Sequence, residues 1–197
     1  MTAVADRMAT PRLVLRSPRS DDAPRLARLI GAADVAHFLA GVPYPYAERD
    51  AEAWIARVGD PAAEILERFV ILPGEGLIGA VGAHRLTPGG DLELGFWIGR
   101  DWWGHGFATE AAATLIAALF QGSAIRGLAS GHFADNARSA RVLAKLGFRS
   151  SGVERSRHSA ARGVAVAHRN LWLCRADWDA GRRPPDRLAP SPALGIG

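Results

Sequence analysis

The chain reads as an α+β fold built on one mixed sheet, and the order of its elements predicts this. Strand-like runs follow one another at Ile65–Leu72, Leu77–Leu86 and Asp91–Gly99, separated by the breaker clusters Pro73-Gly74-Glu75-Gly76 and Thr87-Pro88-Gly89-Gly90. Turns this short favour an antiparallel meander. A glycine-rich turn and a helical stretch then lead to a further strand, and a meander followed by one strand on each side of a helix describes a mixed sheet. With 197 residues and 48% hydrophobic content, the chain fits one domain with an adequate core.

The remaining elements follow in order. Residues 1–11 read as a loose leader, and Arg12-Leu13-Val14-Leu15-Arg16 alternates as a half-buried strand does. Ser20-Asp21-Asp22 offers a helix cap, after which Leu26, Leu29 and Ile30 keep helical spacing up to Gly31. A second helix is expected over Ala33–Leu39. The prolines of Gly41-Val42-Pro43-Tyr44-Pro45-Tyr46 exclude a helix there and leave a loop with two tyrosines, suited to a rim over a substrate. Glu48–Val58 is helical, with Trp54 and Ile55 inward and Gly59-Asp60-Pro61 as its stop. Beyond the meander, a helix runs from about Gly104 to Phe120, a strand over Ala124–His132, a helix over Ala137–Leu146, and a terminal strand pair over Phe148–Ser156 and Val164–Arg175. From Gly181 onward the Pro- and Arg-rich sequence leaves little to pack, so 181–197 are expected to form a mobile tail.

Composition narrows the function classes. No run of about eighteen apolar residues is present, and Met1–Arg7 lacks the apolar segment of a signal peptide, so a cytoplasmic protein without a membrane partner is expected. The single cysteine, Cys174, lies in an apolar run and supports neither an internal disulfide nor a cysteine-based metal site; no metal is expected. The formal charge of +4 invites a nucleic-acid reading, but the arginines are scattered and no helix-turn-helix, zinc or RNA-binding signature accompanies them. Such charge can instead attract a polyanionic small molecule.

The most informative segment is Leu92-Glu93-Leu94-Gly95-Phe96-Trp97-Ile98 followed by Trp102-Trp103-Gly104-His105-Gly106-Phe107-Ala108-Thr109-Glu110. A strand running into glycines that open a helix can aim several N–H groups at one anion, with the helix field added. Neither common nucleotide signature is met, because no Lys-Ser/Thr follows the glycines and no third glycine completes the dinucleotide fingerprint. A different phosphate-bearing ligand is indicated. One strand later, Asn136-Ala137-Arg138-Ser139 opens an amphipathic helix that closes with Val142-Leu143-Ala144-Lys145-Leu146-Gly147-Phe148.

In that order these motifs resemble the GNAT superfamily of acetyl-CoA-dependent N-acetyltransferases, most closely its ribosomal-protein N-terminal (Rim-type) branch, over roughly Arg12 to Trp178. The resemblance implies a GNAT fold over 12–180: a mostly antiparallel sheet of about seven strands, splayed between the fourth and fifth and flanked by helices. Acetyl-CoA would lie in the splay. His105, Gly106, Phe107, Ala108 and Thr109 match the pyrophosphate-binding turn, and Phe96, Trp97 and Ile98 match the strand whose backbone bonds the pantetheine arm. Asn136 would bond that arm from the far side, and Arg138 and Arg141 are within reach of the adenosine phosphates, though solvated helix arginines read equally well. Where the family often has Gln or Arg six residues ahead of the threonine, this chain has Trp103, a substitution common in the Rim-like branch.

Acetyl transfer to an amine needs a neutral amine, a stabilised oxyanion and a proton for the departing thiolate. Glu93 is the candidate base, provided it is buried with a raised pKa, with His84 and His132 as alternatives; a solvated or ion-paired Glu93 is the competing expectation. Ser139 matches the Rim-type position proposed to protonate sulfur, although a helix-start hydrogen bond explains it equally well. No tyrosine follows Tyr46, so the tyrosine acid of other members is missing and Val142 and Leu143 occupy its stretch. The oxyanion donor would be the Ile98 N–H. Glu110 falls in the first helical turn, where the dipole stabilises a carboxylate, and Trp102 and Trp103 read as packing for the cofactor turn.

The function implied is direct acetyl transfer in a ternary complex. The expected acceptor is a protein or peptide N-terminal α-amine; a small amine or amino acid, and a non-catalytic acyl-CoA-binding role, are the alternatives. The partners are thus acetyl-CoA and an amine acceptor, with the protein a monomer or homodimer. The first two helices, the Tyr44–Tyr46 loop and the last strand pair would set acceptor specificity.

Overall fold

The computed structural model describes residues 4–85 and 90–181, with Val153 described by its backbone alone. Eight strands form one sheet in the order β1-β2-β3-β4-β5-β6-β8-β7. They are β1 Arg7–Ala9, β2 Val14–Arg16, β3 Ile65–Leu72, β4 Gly76–Arg85, β5 Leu92–Ile98, β6 Gly127–Phe133, β7 Arg149–Ser159 and β8 Val164–Cys174. The helices are α1 Ala23–Ile30, α2 Ala33–Ala36, α3 Glu48–Gly59, α4 Phe107–Gly122, α5 Ala137–Lys145 and α6 Arg175–Asp179.

The meander is present as expected: β3, β4 and β5 pair antiparallel in sequence order. β5 and β6, separated by the α4 crossover, run parallel and share the single registered pair Glu93 opposite Ala129. The next contact is side chain to backbone, Ser130 Oγ donating to the Leu94 carbonyl at 2.9 Å. Beyond Leu94 the β5 edge facing β6 has no registered strand partner among the described residues, which is the splay between the fourth and fifth strands of the sequence reading. β8 inserts between β6 and β7 rather than following β7 at the edge.

Two apolar layers cover the sheet. On one face Leu92, Leu94 and Ile98 pack with Leu115, Ile116 and Leu119 of α4 and Leu143 of α5. On the other, Leu26 and Ile30 of α1, Val35 of α2 and Ala51 of α3 pack on Phe69, Leu77 and Ala80, with Trp97 against them. Period-two alternation places Glu93, Gly95 and Trp97 on this second face.

The differences from the sequence reading are local. The strand count is eight rather than about seven because Arg7–Ala9, within the segment read as a leader, pairs with Val14–Arg16. The buried Arg68 guanidinium also holds that segment, donating to the Val4 and Ala5 carbonyls at 2.9 and 3.1 Å. The Asp22 carboxylate does not cap α1; it accepts from the Arg19 N–H at 2.8 Å and from Arg16 at 2.6 and 2.7 Å. The helix expected over Ala33–Leu39 ends at Ala36, and the short α6 was not anticipated. Most of the Thr87–Gly90 turn and all but Gly181 of the tail lie outside the described residues. Among those described, no helix is long and apolar enough to cross a membrane.

Candidate functional site

A cavity of about 500 Å³ opens at the splay between β5, the turn before α4, and α5. Its walls include Phe96, Trp97 and Ile98 from β5, Gly106 to Thr109 from the turn, Asn136 at the N-cap of α5, and Ser139 and Arg141 from α5. The fold thus brings together every candidate cofactor residue except His105, and adds Ser139. His105 is exposed; its ring stacks on Phe107 and its carbonyl accepts from Arg12 Nη1 at 2.9 Å, so the contribution open to it is its backbone N–H.

The turn has the geometry of an anion cradle. Gly104 and Gly106 hold φ of +83° and +81°, conformations that side chains rarely adopt. Among the described residues no side chain caps α4, and the first helical N–H bond is Glu110 to the Gly106 carbonyl at 3.0 Å. The N–H groups of Phe107, Ala108 and Thr109 are therefore left to an outside acceptor in the field of a sixteen-residue helix. A clasp fixes the turn from behind. Glu110 Oε2 accepts from Arg12 Nε at 2.7 Å, Glu110 Oε1 accepts from the Arg12 N–H at 2.9 Å and from the Thr10 hydroxyl, and the Arg12 guanidinium lies 4.6 Å from the Phe107 ring centroid. Burial raises the Glu110 pKa, but the Thr10 and Arg12 hydrogen bonds outweigh it and hold the carboxyl below its ordinary value. Glu110 is structural, as its position in the first turn suggested.

Trp103 joins the two apolar layers and donates its indole N–H to the Ile98 carbonyl at 2.6 Å, tying turn to strand. Arg138 lies 4.2 Å over the same ring and lines the cavity. With Arg141 and Lys145 it forms a basic stripe along one side of α5. Lys145 was missed by the sequence reading, although its spacing of four from Arg141 carried the signal. Asn136 is buried, and its Oδ1 accepts from the Ser139 N–H at 3.1 Å as the α5 cap. That cap uses the Ser139 backbone and leaves its partly buried hydroxyl on the cavity wall.

Glu93 stands apart from the cavity lining. Its carboxylate, 15% exposed, meets Arg157 Nη1 at 2.7 Å, so the ion-paired alternative is the arrangement observed. Arg157 comes from β7, and nothing in the sequence tied it to Glu93. His84 faces Glu93 across the strand pair; burial lowers its pKa, Glu93 opposes this, and Arg157 and Arg57 push it lower still. His132 is buried, with Nδ1 2.8 Å from the Phe133 carbonyl, a structural placement. Cys174 is partly buried at the end of β8, and its residue is not among those lining the cavity.

Comparison with known proteins identifies the family and the fold. The acetyltransferase (GNAT) domain model matches residues 12–149. The chain is 28% identical over 165 residues to the uncharacterized N-acetyltransferase p20 of Bacillus licheniformis, covering 82% of this chain and 92% of that one. Its fold is similar to that of a ribosomal-protein-S5-alanine acetyltransferase from Vibrio fischeri, with a TM-score of 0.74, 19% identity and coverage of 87% and 98%. It is likewise similar to Mycobacterium smegmatis RimJ in complex with CoA-disulfide, with a TM-score of 0.72, 21% identity and coverage of 87% of each chain.

Proposed function

The chain belongs to the GNAT acetyltransferase family and is an N-acetyltransferase, and from that premise we propose that it moves an acetyl group from acetyl-CoA to a protein or peptide N-terminal α-amine by direct attack in a ternary complex. The observation that carries this reading is the union, in one cavity, of an unpaired strand edge, an uncapped helix start and a basic stripe. These are the three kinds of partner that a pantetheine amide arm, a pyrophosphate and further phosphates require.

In this reading the N–H groups from His105 to Thr109 hold the pyrophosphate, with Arg138, Arg141 and Lys145 supplying countercharge. The backbone of Phe96 to Ile98 and the Asn136 amide align the arm between β5 and α5, and the Ile98 N–H faces the developing oxyanion. Bound acetyl-CoA supplies the acyl thioester. Ser139 donates a proton at the sulfur end, and Glu93, fixed by Arg157, stands as a carboxylate on the acceptor face. The Rim-type acetyltransferases among the similar folds support a protein α-amine as acceptor.

Calorimetric titration with acetyl-CoA and with CoA, followed by thiol release on adding a panel of peptides and small amines, tests the reading. Saturable binding with peptide-dependent thiol release is expected. Release only with small amines would reassign the acceptor, binding without release would point to a non-catalytic acyl-CoA binder, and no binding would overturn the cofactor assignment.

A further inference from the structure

The acceptor face carries one acid that the roles above leave unused. Glu67 on β3 lies opposite Gly82 on β4, and Gly82 lies opposite Gly95 on β5. A Cβ on Gly82 would stand 2.0 Å from Glu67 Oε2, so the carboxyl rests directly over that bare backbone. A Cβ on Gly95 would meet no atom of the described residues within 4 Å. Across three strands the row therefore reads carboxyl, bare backbone, open space. The opening falls at the splay, since Leu94 precedes Gly95 and is tied to Ser130, and Phe96 follows it as the first cavity residue of β5.

Of the Glu67 oxygens, only the backbone carbonyl accepts a side-chain hydrogen bond from the described residues, from Arg68 Nη1 at 2.9 Å, and the partly exposed carboxyl oxygens are left to solvent or ligand. Its nearest charged influence is Arg68, which points to the opposite face and is engaged with Val4 and Ala5. The other charged groups on this side, His84 from β4, Glu93 from β5, Arg157 from β7 and Arg57 from α3, act together around His84. Glu67 is thus an acid set beside a vacant, partly exposed position and lacking a fixed partner.

We propose that Glu67 is the base that receives the proton of the acceptor ammonium at the open space over Gly95. This rests on the N-acetyltransferase reading above. One ammonium proton passes to Glu67 Oε2 and then to solvent, freeing the lone pair that forms the N–C bond as the C–S bond breaks. A second proton leaves nitrogen as the amide forms, balancing the one that the departing sulfur gains through Ser139 or water. Burial raises the Glu67 carboxyl to about 8 against the opposing pull of Arg68. A free α-amine titrates at about 7.7–8.0, in the same range, so the proton passes between them at little cost.

The test compares wild type, Glu67→Gln and Gly95→Ala, using the best peptide acceptor from the panel and the same peptide with an aminooxy group, neutral at assay pH, in place of its α-amine. Glu67→Gln is expected to lower kcat for the α-amine peptide about 100-fold. Its deficit should be much smaller with the aminooxy peptide, and acetyl-CoA affinity should stay within about twofold, since the proposal places Glu67 on the acceptor. Gly95→Ala, whose methyl enters open space, should raise KM for the peptide and leave acetyl-CoA binding intact. The folded chain holds the Glu67 proton at pH values where the unfolded chain has released it, so stability falls from the ordinary carboxylate range up to about pH 8. The Tm of Glu67→Gln should therefore gain on wild type across that window. Equal kcat for wild type and Glu67→Gln, an equal deficit with both acceptors, or no such Tm trend would overturn the proposal. A wild type that binds acetyl-CoA but acetylates no amine would overturn the transferase reading and this inference with it.

Discussion

In the proposed function the two sides of the splay recognise by different means. The proposed cofactor side offers backbone N–H groups of the α4 turn, with three basic side chains of α5 added at the rim. The acceptor side is a set of ionisable groups, Glu67, His84, Glu93 and Arg157, drawn from four strands. Backbone donors are fixed by local geometry and do not titrate, whereas burial shifts Glu67 up and His84 down. Damage to the first side should therefore appear as lost affinity, and damage to the second as altered turnover and pH dependence.

The largest expected effect is at the turn. Gly106→Val places a β-branched residue at φ +81° with its Cβ against Arg12 Nη2; if the turn relaxes out of the cradle to relieve about 3 kcal/mol of strain, restoring it on binding costs on the order of 100-fold in acetyl-CoA affinity by calorimetry. Retained affinity would move the cradle elsewhere. Next comes Glu93→Gln, which should lower turnover about tenfold with cofactor affinity unchanged, since it also leaves the Arg157 charge unpaired. Unchanged turnover across the pH range would remove Glu93 from the mechanism. Smaller still, Arg141→Ala and Lys145→Ala should each weaken CoA binding about threefold to tenfold, and the deficit should fade as salt is raised because both side chains are exposed. A salt-independent deficit would argue against a countercharge role.

The smallest effect concerns the clasp behind the turn. The Glu110 carboxyl is held below its ordinary value, so its contribution is present above the unfolded value and is lost as pH falls through the folded one. Arg12 is 48% exposed, which limits the contribution to about 1 kcal/mol or less. The Tm advantage of wild type over Glu110→Gln should accordingly be present at neutral pH and vanish in acid.

Legibility followed the same division. The meander, the α4 helix and the glycine turn were readable because alternation, breaker residues and helical spacing are local signals; β3 matches its expected limits of Ile65 and Leu72. Strand Arg7–Ala9 was missed because three residues carry no periodicity, and its stability comes from pairing with β2 and from Arg68. The region expected to be helical through Leu39 stops at Ala36, where residues 38 and 39 turn to line the cavity instead.

By itself the sequence determined the order of elements, the glycine turn before α4 and the family resemblance, since each is written in consecutive residues whose backbone geometry depends on Gly, Pro and local spacing. Only the tertiary structure decided which ionisable groups meet. Glu93 and Arg157 are 64 positions apart in the chain and 2.7 Å apart in space, and Glu67 faces the bare backbone of Gly82, with Gly95 beyond it, only because these fall beside it in register. Strand pairing sets such neighbours, and because burial depends on the whole packed layer, the chemistry of the acceptor side comes into being only with the fold.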